Sequence, residues 1–482
     1  MHQVSNEHEH VHGPNRFAVI PTLMRLDADP DYTGKGVTIA FLDSGFYPHP
    51  DLVEPVNRIV VYKDLTDASA RLAANAATES WQWHGTQTSV VAAGNGRLCD
   101  GVYRGLACNA ELVLVKVSER GRISEENIAR GLNWIIENRE RYNIRVLNIS
   151  LGGDEDVPCS QSIIDQSAEE AIRHGIVVVV AAGNLGTAGK HSIPPANAPS
   201  VITVGGYHDN NQVDRGRLDL YQSNFGITAD GSVKPEIIAP AMWVAAPILP
   251  GTPIYERAEA LSKLAANPDY LLTRLAKEMG AVAGFTPSLV QAESLTIREF
   301  VESELKQSKF IATHYQHVDG TSFAAPIVSS IVAQMIEANP SLTPGAVKNI
   351  LISSADRIAG APALRQGFGV VNARRAAAMA LTEQHELGIN PPRIANGKLL
   401  FVFHDDHAES VSLAGDFNDW NPAGAPLARG HTGLWNVAIE VPTRGRYEYK
   451  FLLDGKRWLE DPNNGMKVPD NYGGLNSLIV IE

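Results

Sequence analysis

GIVVVVAAGN (175–184) is the most apolar run in the chain, and its reading decides the fold. Four consecutive valines crowd a helix but suit a pleated strand. Nearly every position is apolar, without the alternation of a one-sided strand, so both faces are predicted to be buried. Gly175 closes the helical pattern SIIDQSAEEAIRHG (162–175) before it. Working outward, VTIAFLD (37–43), ELVLVKV (111–117), RVLNISLGG (145–153) and SVITVGGY (200–207) read as further buried strands. HGTQTSVVAAG (84–94), ISEENIARGLNWIIENRERY (123–142, Ser124 as N-cap) and SFAAPIVSSIVAQMIEAN (322–339) read as helices. Strands alternating with helices predict an α/β fold, a doubly wound parallel sheet covered on both faces.

That rhythm breaks twice. Residues 250–316 are rich in Ala, Leu, Glu and Lys at helical spacing and read as a mainly helical insertion. Residues 384–396 are polar with a Pro pair, a linker signal. Beyond them, 397–482 shows short alternating strands separated by turn residues, which predicts an immunoglobulin-like antiparallel β-sandwich. The expected organisation is a leader at 1–33, an α/β domain at 34–383, the linker and the sandwich.

The 482 residues carry 41 Lys and Arg against 54 Asp and Glu, a net charge of −13. An acidic chain has no electrostatic footprint for nucleic acid or an anionic membrane, so neither is expected as a partner. Three cysteines (Cys99, Cys108, Cys159) make no disulfide framework and no CxxC pair. The N-terminus lacks a basic stretch followed by an apolar one, which predicts no secretory signal and a cytoplasmic location. His8, His10 and His12 read as a polar tail.

Four polar residues stand at strand ends or helix starts: Asp43, His84, Asn184 and Ser322. In open α/β sheets the functional crevice lies beyond the carboxyl ends of the strands. Any one of the four could be a cap or a turn residue. Together they supply what acyl transfer requires. A serine hydroxyl is a weak nucleophile until a histidine takes its proton, an aspartate fixes the tautomer of that histidine, and an amide donor stabilises the oxyanion.

The flanks resemble a known family, the subtilisin-like serine proteases. The resemblance rests on Asp43-Ser44-Gly45 with His49-Pro50-Asp51-Leu52, on His84-Gly85-Thr86 with Ala92-Ala93-Gly94, and on Gly320-Thr321-Ser322 with Ala324-Ala325-Pro326. It implies a serine endopeptidase acting on proteins or peptides, with Ser322 as nucleophile, His84 as base, Asp43 as its orienting partner and Asn184 as oxyanion donor. It further implies a substrate strand at Ser150, Leu151 and Gly152, and a wall at Ala181 and Gly183 for the side chain before the cut. A pocket near Leu185 and Ile193 offers no carboxylate, so an apolar side chain is expected there. Asp319 departs from the Ser or Asn more usual before that Gly. Ala18-Val19-Ile20-Pro21 resembles the apolar-Pro element of the short leader that can block the cleft in intracellular members. No cofactor is implied. Structural calcium is common in the family, but no ligand set can be matched to residues here.

The C-terminal run Val411-Ser412-Leu413-Ala414-Gly415-Asp416-Phe417-Asn418-Asp419-Trp420, with Gly445 to Phe451, Trp458 and Asp461-Pro462, resembles the glycogen-binding modules of AMP-activated kinase β subunits and branching enzymes. That resemblance implies glycogen or another α-glucan as partner, with Trp420 and Trp458 stacking on sugar rings and Lys450 and Asn476 bonding hydroxyls. The alternative expectation is a glycan- or protein-binding scaffold whose peptidase-like core is silent or self-processing.

Overall fold

The computed structural model describes residues 19–481 except 68, 73–77, 120, 154–156, 187–192, 213–217, 384–391, 396–397, 406 and 430–433. The histidine-rich N-terminus and most of the expected linker lie outside the described residues. Seven parallel strands form the central sheet: β1 (Thr38–Asp43), β2 (Ile59–Asp64), β3 (Glu111–Lys116), β4 (Ile144–Ile149), β5 (Val177–Ala181), β6 (Ile202–His208) and β7 (Ile237–Pro240). Their spatial order is β7-β6-β5-β4-β1-β3-β2, and Asp219–Leu220 adds a short antiparallel eighth strand on β6. The winding reverses between β1 and β4, which opens a crevice at the carboxyl ends of those two strands.

The valine run explains the layering. Val177 and Val179 point into one core, and Val178 and Val180 into the other. The first core is closed by α1 (Trp83–Ala93) and the second by α2 (Glu125–Asn138) and α3 (Ile163–Arg173). Ser124 and Ser162 cap α2 and α3, accepting from Asn127 N and Asp165 N.

After β7 comes β8 (Val244–Pro247), then an insertion of α4 (Pro253–Ala266), α5 (Asp269–Ala283), α6 (Pro287–Val290) and α7 (Ser294–Gln307). Leu261, Leu264, Leu272, Ile297 and Val301 give it a core of its own. The insertion is helical as expected, but its end is not. β9 (Phe310–Ala312) and β10 (Tyr315–Val318) return antiparallel onto β8. The leader is docked too. Val19 is buried with Tyr103, Ile311 and Tyr315, and Arg25 pairs with Asp209 at 3.0 Å. Asp43, His84 and Ser322 are not among these partners.

The helix α8 (Thr321–Ala338) lies against the first core. Its length and mean hydropathy of 1.2 would suit a membrane span, but 83% of it is buried inside the protein. Two further helices, α9 (Pro344–Ser354) and α10 (Ala373–Thr382), complete this layer.

The C-terminal domain is a pair of antiparallel sheets. One joins β11 (Arg393–Ala395), β12 (Lys398–His404), β14 (Ala428–Arg429) and β15 (Leu434–Glu440). The other joins β13 (Val411–Gly415), β16 (Gly445–Leu453), β17 (Arg457–Leu459), β18 (Lys467–Pro469) and β19 (Leu475–Ile481). Phe401, Phe403, Tyr449 and Phe451 fill the space between. Strand pairing begins at Arg393, four residues before the boundary read from the sequence, because Arg393–Ala395 folds back on Lys398–Leu400.

Beneath α9 sits a buried charge trio. Lys234 and Lys348 each donate to Glu236 Oε1 at 2.7 Å, and Thr203 N donates to Glu236 Oε2 at 2.8 Å. Burial lowers the Lys234 ammonium, Glu236 opposes this and Lys348 adds to it, and the net position is about 8. Removing one member of such a set leaves the others uncompensated. Glu236→Gln is therefore expected to cost about 3–5 kcal/mol in urea unfolding. A loss under about 1 kcal/mol would mean that Lys234 and Lys348 are not left uncompensated.

Candidate active site

Asp43 is the last residue of β1 and is 1% exposed. Its Oδ1 accepts from Ser44 N at 2.6 Å and Ser44 Oγ at 3.2 Å, and its Oδ2 accepts from Thr88 Oγ1 at 3.3 Å. His84 enters from the first turn of α1 and sets Nδ1 at 2.8 and 3.0 Å from the two carboxylate oxygens. This approach needs Gly85, because a Cβ there would collide with the Gly45 carbonyl oxygen. Burial alone would lower the His84 pKa, but the charge and hydrogen bond of Asp43 outweigh it and the net shift is upward from 6.5. The Trp83 ring meets the imidazole edge-on at 5.2 Å, and the Phe323 ring lies 6.0 Å away on the side of Ser322.

Ser322 is the second residue of α8. Gly320, with φ +140°, turns the chain into the helix, a conformation that disfavours other residues. Four residues on, Pro326 has no N–H to give to the Ser322 carbonyl. Ser150 Oγ takes that place, donating to Ser322 O at 2.9 Å. Ser150 is itself held by Asn148 Nδ2 at 3.1 Å, and Asn148 Oδ1 accepts from Ser329 Oγ at 3.0 Å. The nucleophile candidate is thus tied to the end of β4 by a chain of buried polar groups. Its hydroxyl lies 3.4 Å from Ser150 O, and no hydrogen bond joins it to His84 in this state.

Asn184 follows β5. Its Oδ1 accepts from Thr321 N at 2.8 Å and Thr321 Oγ1 at 3.1 Å. With the carbonyl end held, the amide Nδ2 remains as a donor without an acceptor among the described residues. Asn224 braces the same turn, with Leu185 N donating to its Oδ1 at 2.8 Å and its own N donating to Gly183 O at 3.0 Å.

Leu151 borders a cleft of about 420 Å³ beside His84, with Asp43, Trp81, Trp83 and Ile123 as other walls. Ile193 packs against Gly152, and Gly153 N donates to Pro194 O at 2.8 Å. Ala181 and Gly183 are both partly exposed at the end of β5. Glu125, in the first turn of α2, reaches Gly153 and brings a carboxylate near this wall, which the sequence reading did not foresee. Asp319 accepts from Trp243 N at 3.1 Å and pairs with Lys309, so it braces the segment before Ser322. Thr321, Asn148, Ser329 and Asn224 were also missed. Pro326 signals only that the Ser322 carbonyl needs another donor, which is Ser150, and points to none of these four.

On the sandwich, Trp420 and Trp458 stand 6.3 Å apart, centroid to centroid. Trp458 is 45% exposed, whereas Trp435 is the buried tryptophan of the domain at 4%. Leu452 pairs with Trp458 across β16 and β17, so Trp458 shares a sheet face with Lys450 two residues away. Lys450 is bonded to Asp470, and Asn476 is buried with Nδ2 donating to Glu448 Oε2 at 2.7 Å. Among the described residues no group of three or more His, Cys, Asp or Glu is placed to hold a metal.

The Asp43 carboxylate predicts that the imidazolium of His84 persists to a pH above 6.5. Asp43→Asn should bring the midpoint below 6.5, since burial then acts unopposed. Histidine titration by NMR checks both values, and an unchanged midpoint in the variant would mean that another group sets it.

Comparison with known proteins follows the same lines. Residues 34–370 match the model of the subtilase family, and residues 386–464 match that of carbohydrate-binding module 48, the isoamylase N-terminal domain. Serine protease AprX of Bacillus subtilis is 31% identical over 352 residues, covering 71% of this chain and 66% of the relative. Subtilisin Savinase of Lederbergia lenta is 33% identical over 201 residues, covering 41% of this chain and 65% of the relative. The chain thus spans just under two thirds of either relative's length. The solved structure of fervidolysin from Fervidobacterium pennivorans has a TM-score of 0.50 at 18% identity, covering 89% of this chain and 55% of that one, a likeness of fold. With a family match over 34–370, the chain belongs to the subtilase family.

Proposed function

We propose that the protein is a serine endopeptidase whose C-terminal module holds it on an α-glucan. The observation that carries the first half is the Asp43–His84 pair at the point where the sheet winding reverses, with the ring of Phe323, next to Ser322 in the chain, 6.0 Å from the imidazole. In the proposed reaction Ser322 Oγ rotates from Ser150 O toward His84 Nε2, a change of one side-chain rotamer. It attacks the scissile carbonyl as His84 takes its proton, and Asp43 steadies the imidazolium through Nδ1. Asn184 Nδ2 and the Ser322 N–H hold the oxyanion. His84 then protonates the leaving amine, and water repeats the sequence to release the acyl group. The substrate lies extended along 150–152, with an apolar side chain against Ala181, Gly183 and Ile193.

Ser322→Ala is expected to lower kcat on a peptide substrate by about 10⁶, with urea unfolding unchanged. Retention of more than about a tenth of the activity would exclude Ser322 as nucleophile. Asn184→Ala keeps the nucleophile and loses one oxyanion donor, so a smaller fall of about 10² to 10³ in kcat is expected. An unaltered kcat would remove Asn184 from the mechanism.

The glucan half rests on the half-exposed Trp458 beside Trp420, flat apolar faces that a sugar ring can cover. The full chain carrying Ser322→Ala is expected to co-sediment with glycogen. Adding Trp420→Ala and Trp458→Ala should abolish this without a change in the unfolding curve. If the full chain fails to sediment with glycogen or starch, the module serves as a protein-docking or structural element.

A further inference from the structure

The chain edge 150–153 points its residues to two sides. A Cβ on Gly152 would meet Ile193 and the Pro194 carbonyl, the wall given above to the side chain before the cut. Leu151 borders the cleft on the other side with Ile123 and His84, and a Cβ on Gly153 would collide with the Glu125 carboxylate. Ser322 Oγ stands 3.4 Å from Ser150 O, so the residue whose carbonyl is attacked lies opposite Ser150. β4 is already paired on both edges, by β1 and β5, so the preceding residues of the substrate run outward along 151–153. Extended strands advance at the same rise, which sets the fourth residue before the cut opposite Gly153. Residues directly opposite on paired strands project to the same side. The first and third therefore face the Ile193 side, the second faces the cleft beside His84, and the fourth faces Glu125.

Glu125 is exposed and forms no ion pair among the described residues. A helix N-terminus accounts for an acidic residue at this position, but Glu126 beside it serves the dipole equally well. The dipole does not explain why the Glu125 carboxylate lies against the one point of the edge that lacks a side chain. The basic residues nearby leave it free. Arg130 donates to Asn127 Oδ1 and Leu65 O, and the exposed Arg122, on the turn bridged to Glu119, pairs with neither glutamate. Leu151 and Ile123 add apolar surface along the same path, on which the methylenes of a long side chain can lie while its charged end reaches the carboxylate.

We propose that Glu125 is a specificity residue that selects a lysine or arginine as the fourth residue before the cut. The inference rests on the endopeptidase reading above and names its substrate class: an extended segment with a basic residue, two further residues, and then an apolar residue at the cut.

The test uses the full chain and peptides that differ only at that fourth residue, carrying Arg, Lys, norleucine or Glu. kcat/KM is expected to fall about fivefold from Arg or Lys to norleucine and further to Glu, as for an ion pair that stays in contact with water. The spread should narrow in high salt. Glu125→Gln should bring Arg and norleucine to equality, and Glu125→Lys should place Glu above Arg. Each result is a ratio within one variant, so it does not depend on how much of that variant is folded. Equal hydrolysis of the four peptides by the unaltered chain, or a preference for Arg that survives in Glu125→Lys, would overturn this inference alone. Failure to cleave any of them, with Ser322 unlabelled by a fluorophosphonate, would overturn the endopeptidase reading and the inference with it.

Discussion

The seating of the helix Thr321–Ala338 is the constraint on which the rest of the structure depends. Ile327, Val328, Ile331, Val332 and Met335 have no exposed surface, and burying each contributes roughly 1.5–3 kcal/mol. That burial presses the helix onto the sheet hard enough to tolerate a proline in its second turn. Pro326 frees the Ser322 carbonyl, and Ser150 satisfies it. The apolar core therefore places the first turn along the helix axis, and the hydrogen bond from Ser150 fixes it against the end of β4. Thr321 then holds the Asn184 carbonyl from the neighbouring strand end. Three elements distant in sequence are locked together by groups that do no chemistry themselves.

The insertion acts on the other wall. Gln87, 2% exposed on the helix that carries His84, donates to Pro247 O at 2.9 Å at the foot of the insertion. Thr78 Oγ1 donates to Pro250 O at 2.6 Å just before α1. The helix bearing the imidazole is thus packed from two sides, by the sheet through Gly85 and by the insertion through Gln87. An insertion of this size between β8 and β10 extends the small sheet at its base, and the parallel sheet runs on undisturbed.

The sequence reading succeeded where a single physical rule dominates. A run of four valines flanked by glycine permits one interpretation, and Val177 to Val180 alternate between two cores as a doubly covered strand must. The motif residues were legible because their neighbours are constrained as tightly as they are. Gly85 and Gly320 tolerate no side chain where they stand. What stayed hidden depends on distance in the chain. Nothing local marks Asn148, Ser329 or Asn224, since each is tied to a partner about 40 to 180 residues away, and short polar side chains are common for bland reasons. The carboxylate of Glu125 near Gly153 was hidden for the same reason. Its place in the first turn of a helix already explains it. The short edge strands Phe310–Ala312 and Arg393–Ala395 were not read from the sequence, because they are too brief to show a period.

Helix α9 joins these two levels of organisation. Its Lys348 is sunk into the trio with Glu236 and Lys234, so the helix cannot shift without breaking buried charge contacts. Its outer end receives the sandwich. Asn349 Nδ2 donates to Pro462 O at 2.8 Å, and a Cβ on Gly345 would lie 2.5 Å from the Asn463 carbonyl oxygen. Any side chain at 345 would push the 463–465 loop away. Glycine is therefore required there for close approach between domains, even though its backbone is ordinary helix. A connection held only by the linker would leave the sandwich to tumble, whereas contact through a helix end anchored in the peptidase core transmits the position of one domain to the other. The stiffness of that contact follows from where α9 is rooted, among buried charges, more than from the modest number of groups that meet across the seam.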